Sequence, residues 1–492
     1  MSALATLPLA ELAIALPLAA ALLALVAANR ASSFILAVGP VVFALAGLLG
    51  LSIQTNGVIE RQVGGWAAPL GIVLQADGLA GAFIMTTAII MWVAGLYARR
   101  SATLSPPNRT AAFTFWPLFF IMWASLNTIF LSRDLFNLYV GLEMLTLTAV
   151  AMVAFGSIRA AARYLHFALL GSLAYLTGVV LIYAAAGTLD MSLISQGDGA
   201  RPVMAIAGAI LTAGLIIKTA LFPFHAWLPP AHGNAPPAAS ALLSALIVKA
   251  SFYILVRFWF DAAPEVGNLE VMNVLGVMGA GAVLYGSLLA IRQERLKLII
   301  AYSTVAQIGY LFFIFPLAAD AGDPMPWTAG AWTGGIFHAL AHAFAKAALF
   351  LCAGIIIEAC GHDRLSDMGG IVRALPMTIA AFALAAISIM GLPPSGGFMA
   401  KYLMLTSAMA SGQIFYAGVM LVGGLLSAIY LFRPLNAAFS GKDVPDIAPV
   451  PRKRQMLPLI LALFATILGV ASALPYEFLQ IGRPGEAAEG IE

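Results

Sequence analysis

The chain has 492 residues, 62% of them hydrophobic and 10% charged, with a formal net charge of +3. Soluble chains carry roughly 25% charged residues, so a water-facing globule is excluded and a polytopic membrane protein is indicated. So small a net charge excludes little by itself; its distribution carries the information.

Apolar stretches of about 20 residues, enough to cross a hydrocarbon core of about 30 Å, recur from end to end. They fall near 5–28, 34–54, 77–98, 110–131, 134–155, 162–186, 203–222, 237–260, 270–291, 296–316, 328–358, 376–408, 413–438 and 456–475, fourteen in all. A lipid-exposed segment must satisfy its own backbone, and these runs are too long and uniformly apolar for barrel strands. The expected fold class is therefore an all-α polytopic membrane protein. The first run has Glu11 as its only charge and no clear small-residue cleavage site before Asn29 and Arg30, so it reads as a membrane helix rather than a signal peptide. Cys352 and Cys360 stand eight residues apart on one helix, about 12 Å at 1.5 Å per residue, which is too far for a disulfide. Neither supports a cluster or a zinc site.

Loop charges set the expected orientation. With the N-terminus outside, sixteen of the 25 Lys and Arg residues fall in inside loops and five at outside ends. The inside set includes Arg99, Arg100, Arg292, Arg295, Lys297, Lys442 and 452-RKR-454; the outside set is Arg61, Arg133, Arg201, Arg257 and Arg483. The positive-inside rule then puts both termini outside. The 442–454 connection is the one substantial polar loop, so no soluble domain is expected, and no cofactor: nothing offers a home to a nucleotide, flavin or iron–sulfur cluster.

Several ionisable groups stand deep in the apolar segments: Glu143, Lys218, Lys249, His338, His342 and Lys401, with Lys346 one turn beyond His342. Each costs about 2.5–3.5 kcal/mol on insertion scales. Lys218 and Lys401 could snorkel from near a helix end, but Lys249 is mid-segment. His338, His342 and Lys346 follow i, i+4, i+8 on one helix face. That stripe fits polar packing between helices or proton transfer; a metal site lacks the Glu, Asp or Cys that would complete it. Glu143, in 136-FNLYVGLEMLTLTAV-150, is either a plain charge partner for a buried lysine or part of a working pair.

Two segments are interrupted by proline: 221-LFPFHAWLPPAHGNAPP-237 after Lys218, and 390-MGLPPSGGFMAK-401 before Lys401. Proline removes a donor and clashes with the preceding turn, so the freed carbonyls must face protein, water or an ion. Paired breaks in the seventh and twelfth segments point to an inverted repeat with sites near the midplane. The expected organisation is a three-helix N-terminal part (1–100), a first five-helix repeat (110–260, segments 4–8), a second inverted one (269–438, segments 9–13) and a last helix (454–475). The repeat rests on hydropathy and punctuation, not on residue-level self-similarity.

The run 218-KTALFPFHAWLPPAHGNAPPAASALLSALIVKASFYILVRF-258, with 140-VGLEMLTL-147, 338-HALAHAFAKAALFL-351 and 391-GLPPSGGFMAKYLML-405, resembles the antiporter-like membrane subunits shared by complex I, membrane-bound hydrogenases and Mrp-type Na⁺/H⁺ antiporters. The likeness covers nearly the whole chain. Within that family, 64-GGWAAPLGIVLQADGLAGAF-83 and a lysine at 401 are similar to the Mrp D-type subunit. The absence of a long lateral helix after the fourteenth segment argues against the largest complex I antiporter-like subunit and the Mrp A-type subunit. The resemblance implies a lateral polar axis through Glu143, Lys218, Lys249, His338, His342 and Lys401, with His225 and His232 extending an inner proton entry.

Burial disfavours the ionised form of a lysine or a glutamate, and an opposite charge nearby restores it. A Glu143–Lys218 pair is thus a switch, and histidine suits the middle of a relay because both ring forms are accessible near pH 7. The resulting expectation is a proton-translocating subunit of a monovalent cation/proton antiporter, with sibling membrane subunits as partners, H⁺ and Na⁺ as cargo, and a cell membrane as location. Two rivals stand beside it: a proton-pumping subunit of a complex I-like or hydrogenase complex, and the membrane subunit of an inorganic-carbon uptake complex. A self-sufficient transporter is the poorer fourth reading. No nucleophile–base set, metal box or phosphate loop supports bond chemistry on this chain.

Overall fold

Helix starts in this chain are set by short polar side chains placed just before apolar runs. Asp77 accepts from Ala80 N (2.9 Å), Asp134 from Asn137 N (2.7 Å), Ser157 from Ala160 N (3.3 Å) and Ser395 from Phe398 N (3.2 Å). Each satisfies an amide that the helix itself leaves without a partner. The structure, a computed structural model, describes residues 7–101, 109–196, 201–267, 269–319, 326–441 and 447–484; Lys442 of the long polar loop lies outside them.

The principal helices are α1 (Leu9–Ala27), α2 (Ile35–Asn56), α3 (Gly78–Arg99), α4 (Arg109–Leu131), α5 (Leu135–Ala154), α6 (Ile158–Ala186), α7 (Arg201–Thr219), α8 (Leu228–Asn234), α9 (Pro237–Leu242), α10 (Val248–Arg257), α11 (Leu269–Arg292), α12 (Leu296–Leu311), α13 (Pro326–Cys360), α14 (Pro376–Met390), α15 (Gly396–Ala410), α16 (Ile414–Phe439), α17 (Arg452–Val470) and α18 (Ala473–Gln480). Among the described residues, 13 helical stretches are long and apolar enough to cross a membrane. The expected twelfth segment is not one of them, because its break divides it into α14 and α15, 15 residues each. The all-helical, multi-pass architecture expected from hydropathy is therefore present, and Cys352 and Cys360 are free thiols.

One departure is a hairpin of β1 (Ile59–Gln62) and β2 (Val73–Ala76), antiparallel with Ile59 opposite Ala76 and Gln62 opposite Val73. Four-residue strands leave no mark on a hydropathy window sized for membrane helices. Near this hairpin the two described ends meet: Arg61 Nη2 donates to Leu7 O (2.9 Å), and Gly78 N to Ile481 O (2.9 Å). We call this the terminal face. The opposite, basic face carries Arg99, Arg100, Arg295 and 452-RKR-454.

The core lies around the stretch 237–262, whose apolar window is wholly buried, and around α12 and α13, which are nearly so. α1, α2, α6 and α16 keep large apolar side chains exposed, Leu22, Val26, Leu173 and Leu425 among them, as a lipid-facing perimeter requires. α6 and α7 touch almost backbone to backbone. A Cβ on Gly214 would stand 2.4 Å from Gly171 O and 2.6 Å from Tyr175 N, so no larger residue fits without separating the helices.

Besides a π-helical turn at Phe258–Ala262 that ends the 237–262 stretch, three irregularities near the buried lysines interrupt the core helices. α7 stops at Thr219, and Ala220 takes a left-handed φ of 61°. Ile217 O, deprived of its regular partner, accepts from the Trp227 indole (3.0 Å). α14 stops at Gly391, whose φ is 80°. The third was not foreseen: between α9 and α10 the residues Leu243–Ile247 form a π-helical turn, the kind of insertion found often at functional sites.

Candidate functional site

Glu143 stands mid-way along α5 and Lys218 at the last turn of α7, and the close approach of α6 and α7 holds them together. Lys218 Nζ donates to Glu143 Oε1 (3.0 Å) and to Thr146 Oγ1 (3.0 Å), while Ser172 Oγ of α6 donates to the same carboxylate oxygen (2.5 Å). The Lys218 side chain is 4% exposed and that of Glu143 is 23% exposed. The pair is thus dry on the lysine side and open on the carboxylate side. Neither group snorkels.

The other buried lysines rest on main-chain oxygens. Lys249 Nζ donates to Ser244 O (2.5 Å) inside the π-helical turn. Lys346 Nζ donates to Ile300 O (2.9 Å) and also contacts Ser303 Oγ. Lys401 Nζ donates to Ile389 O (2.9 Å) and Met390 O (3.2 Å), the carbonyls released by the second break, and lies 4.4 Å from the centre of the Tyr310 ring. Among the described residues Lys218 is the one lysine ion-paired with a carboxylate. An ammonium has three donors; Lys249 meets one acceptor, and Lys346 and Lys401 two each. Gly391 makes room for this: a Cβ there would come 2.6 Å from Lys401 Cδ.

The histidine stripe of α13 faces inward. His338 Nε2 donates to Gln307 O (3.2 Å), and the His338 and His342 rings stack with centroids 5.8 Å apart. His338 Nδ1, both ring nitrogens of His342 and both of His232 are buried without a protein hydrogen-bond partner. His232, at 0% exposure, stacks on Phe350 with centroids 4.7 Å apart. Lys249 and Lys346 lie within electrostatic reach of His232 and of His342, and Lys401 within reach of His338 and His342. The structure therefore gathers Lys249, His232, Lys346, His342, His338 and Lys401 into one buried cluster. Glu143 and Lys218 form a separate pair, and no hydrogen bond among the described residues joins it to Lys249. His225 stands apart, its ring against Phe222 (5.7 Å) and Tyr285 (5.1 Å).

Residues 132–427, from the start of α5 into α16, match the transmembrane family described as NADH:quinone oxidoreductase/Mrp antiporter. The chain belongs to this family. All nine candidate residues lie inside the matched region. The chain is 36% identical over 423 residues to NADH-quinone oxidoreductase subunit N of Desulforudis audaxviator, covering 83% of this chain and 82% of that protein. It is 28% identical over 455 residues to the D-type subunit of the Na(+)/H(+) antiporter of Alkalihalophilus pseudofirmus, covering 89% of each. In fold it superposes on a chain of the Mrp complex from Dietzia sp. DQ12-45-1b with a TM-score of 0.88, at 24% identity, over 99% of this chain and 98% of that one.

Several polar residues of the site carry no strong mark in the sequence. Ser303, Thr304 and Gln307 line the α12 side of the cluster; Thr304 Oγ1 lies 2.8 Å from Ser244 Oγ. Small polar residues at i, i+4 in an apolar segment were the available signal. Lys297, counted as a loop charge, is 3% exposed and donates to Ala235 O (2.6 Å). It lines a cavity of about 620 Å³ on the basic face, with Asn234, Arg295, Glu358 and Asp363, and acts electrostatically on His232. Arg257, counted as an outside end, is buried against Asp77 (2.6 Å) and Asp261 (2.9 Å). The i, i+4 spacing of Arg257 and Asp261 was legible; Asp77, 180 positions away, was not.

Proposed function

We propose that this chain is the proton-translocating subunit of a multisubunit monovalent cation/proton antiporter. The observation that carries the reading is the buried cluster running from Lys249 through His232, Lys346, His342 and His338 to Lys401, with the Glu143–Lys218 pair beside it. Five buried ring nitrogens with no protein partner would cost about 1–3 kcal/mol each if left dry. Water threaded between them removes that cost and supplies the medium for proton hops. Amine, imidazole and water each accept and donate, so a proton moves along the cluster while neighbouring side chains keep their places.

Protons enter from the basic face through the 297–235 cavity, where Lys297 adjoins His232; His225, which stands apart from that cavity, is not part of the route. They leave at the other face past Lys401. The excess of Lys and Arg on the basic face supports placing that face inside and both termini outside. The five-helix units 110–260 and 269–438 act as two inverted half-channels, each with its own break and lysine. Sibling membrane subunits in a cell membrane complete the complex, with Na⁺ as the exchanged cation; no cofactor is assigned to this chain.

The test is Lys218→Ala and Lys218→Arg in the intact complex, in inverted vesicles with a pH-sensitive dye. Both substitutions abolish Na⁺-driven dequenching if proton release at Lys218 matters, because arginine cannot discharge. Full activity in Lys218→Arg removes proton release from the mechanism. Full activity in Lys218→Ala removes the residue.

A second reading is favoured by one observation, the 36% identity to a subunit N of NADH-quinone oxidoreductase. Under it the same cluster pumps protons in a redox-driven complex. Co-purification with iron–sulfur or flavin subunits, and dye quenching driven by NADH rather than by Na⁺, decides for it.

A further inference from the structure

The relay residue Lys249 is also the innermost member of a polar column that the relay does not use. Lys249, Tyr253 and Arg257 follow one another at four-residue steps on one face of α10, and Asp261 continues the series in the π-helical turn that ends it. A cavity of about 260 Å³ lies over this column at the terminal face. Glu60 of β1, Arg133 and Ser192 line it on one side, and Tyr253, Arg257 and Asp261 on the other. So polar a hollow suits water, and its wall at Tyr253 is one helical turn from Lys249. Water reaching that close to a relay lysine would short-circuit the relay unless something stopped protons there.

The hydrogen bonds supply the barrier. A chain of groups passes a proton on only if each member accepts at one side and donates at the other. Arg257 has donors alone and does not discharge. Its Nη2 donates to Asp77 Oδ1 (2.6 Å), its Nη1 to Asp261 Oδ2 (2.9 Å) and its Nε to Tyr253 Oη (3.0 Å). Tyr253 Oη in turn donates to Phe130 O (2.6 Å), a main-chain oxygen with no proton to release. The hydroxyl thus spends its proton on the backbone and a lone pair on a fixed cation. The rings of Phe83 and Phe130 stand edge-on to Tyr253 at 5.3 and 5.0 Å, setting hydrocarbon around the same point. Two carboxylates hold the guanidinium there, although burying three charges is a costly way merely to join α3 to α10. A fixed arginine beside a water-filled passage repels protons as well as failing to relay them.

We infer that Arg257 is a proton seal: it closes the terminal-face hollow off from Lys249, so that the relay discharges on that face only past Lys401. The inference rests on the relay proposed above, but its test reads a passive leak without Na⁺, so its failure is distinct from that of the Lys218 variants. The intact complex in proteoliposomes is given a K⁺/valinomycin potential, and proton entry is followed with a trapped pH dye. Arg257→Ala alone strands two buried carboxylates; Arg257→Ala/Asp77→Asn/Asp261→Asn removes the guanidinium without doing so, and asparagine keeps the cap on α3. This triple variant is expected to admit protons about tenfold faster than the parent, the equivalent of about 1.4 kcal/mol off the barrier. Arg257→Lys retains the charge between its two carboxylates and is expected to stay tight. Adding Lys249→Met to the triple variant is expected to restore the parental rate. A tight triple variant, an equal leak in Arg257→Lys, or a leak that survives Lys249→Met overturns the seal.

Discussion

Replacing Glu143 by Gln keeps the size of the side chain and an acceptor for Ser172, and removes the carboxylate from Lys218. At the observed 3.0 Å, two unit charges in an effective dielectric near 20 attract by about 5.5 kcal/mol. The 23% exposure of Glu143 lets water screen part of that, so the expected loss of stability is about 3 kcal/mol, the lower end for stripping one partner from a buried pair. Lys218→Met should cost less, about 1 kcal/mol, because the remaining carboxylate keeps Ser172 and its open side. The double variant Glu143→Gln/Lys218→Met should recover most of the loss, since no lone charge stays buried. Thermal unfolding of the purified chain in nanodiscs reads the stability cycle, and dye-monitored proton movement in vesicles of the intact complex reads function. Transport should fail in all three variants, although only one is markedly less stable. Strictly additive losses of stability, or normal transport in the double variant, would refute the reasoning.

Two further outcomes follow from the breaks. Gly391→Ala puts a Cβ at φ 80° and within 2.6 Å of Lys401 Cδ; left-handed backbone costs an L-residue about 1–2 kcal/mol. The variant should lower the unfolding temperature and slow proton movement by displacing Lys401 from its carbonyl acceptors, and transport at the parental rate would contradict this. Ala220→Gly works the other way: it relieves a left-handed φ of 61° and should stabilise by about 1 kcal/mol with transport unaltered, as scanning calorimetry alongside the dye assay will show.

Much of this was legible in advance because a membrane turns chemistry into spelling. Oil forbids stray charge and unpaired backbone, so Lys218, Lys249, His338, His342 and Lys401 stood out, and 222-FPFHAWLPP-230 and 392-LPPSGG-397 announced their breaks. The pairing of Glu143 with Lys218 was anticipated from charge alone. What stayed hidden depended on tertiary neighbours or on main-chain geometry. Asp77 gave no hint of Arg257, since the two meet only when α3 packs beside α10. The π-helical turn at Leu243–Ile247 has no sequence marker: 243-LSALI-247 reads as ordinary helix, and its effect is to turn Ser244 O toward Lys249. Nor could sequence tell that His232 joins the central cluster while His225, seven residues earlier, does not.

A carbonyl oxygen belongs to the polymer and not to any letter of it. Exchanging amino acids around Lys249 and Lys401 will therefore pass over the atoms that receive their hydrogen bonds, Ser244 O, Ile389 O and Met390 O. What fixes those atoms is how many residues the chain spends between fixed points. Deleting one residue from 243–247 would restore an even helix and withdraw the acceptor, though every named functional side chain survived. In such a protein, insertions and deletions inside the core are forbidden edits too, and away from close contacts such as Gly214 and Gly391 natural variation there should change identity before it changes length.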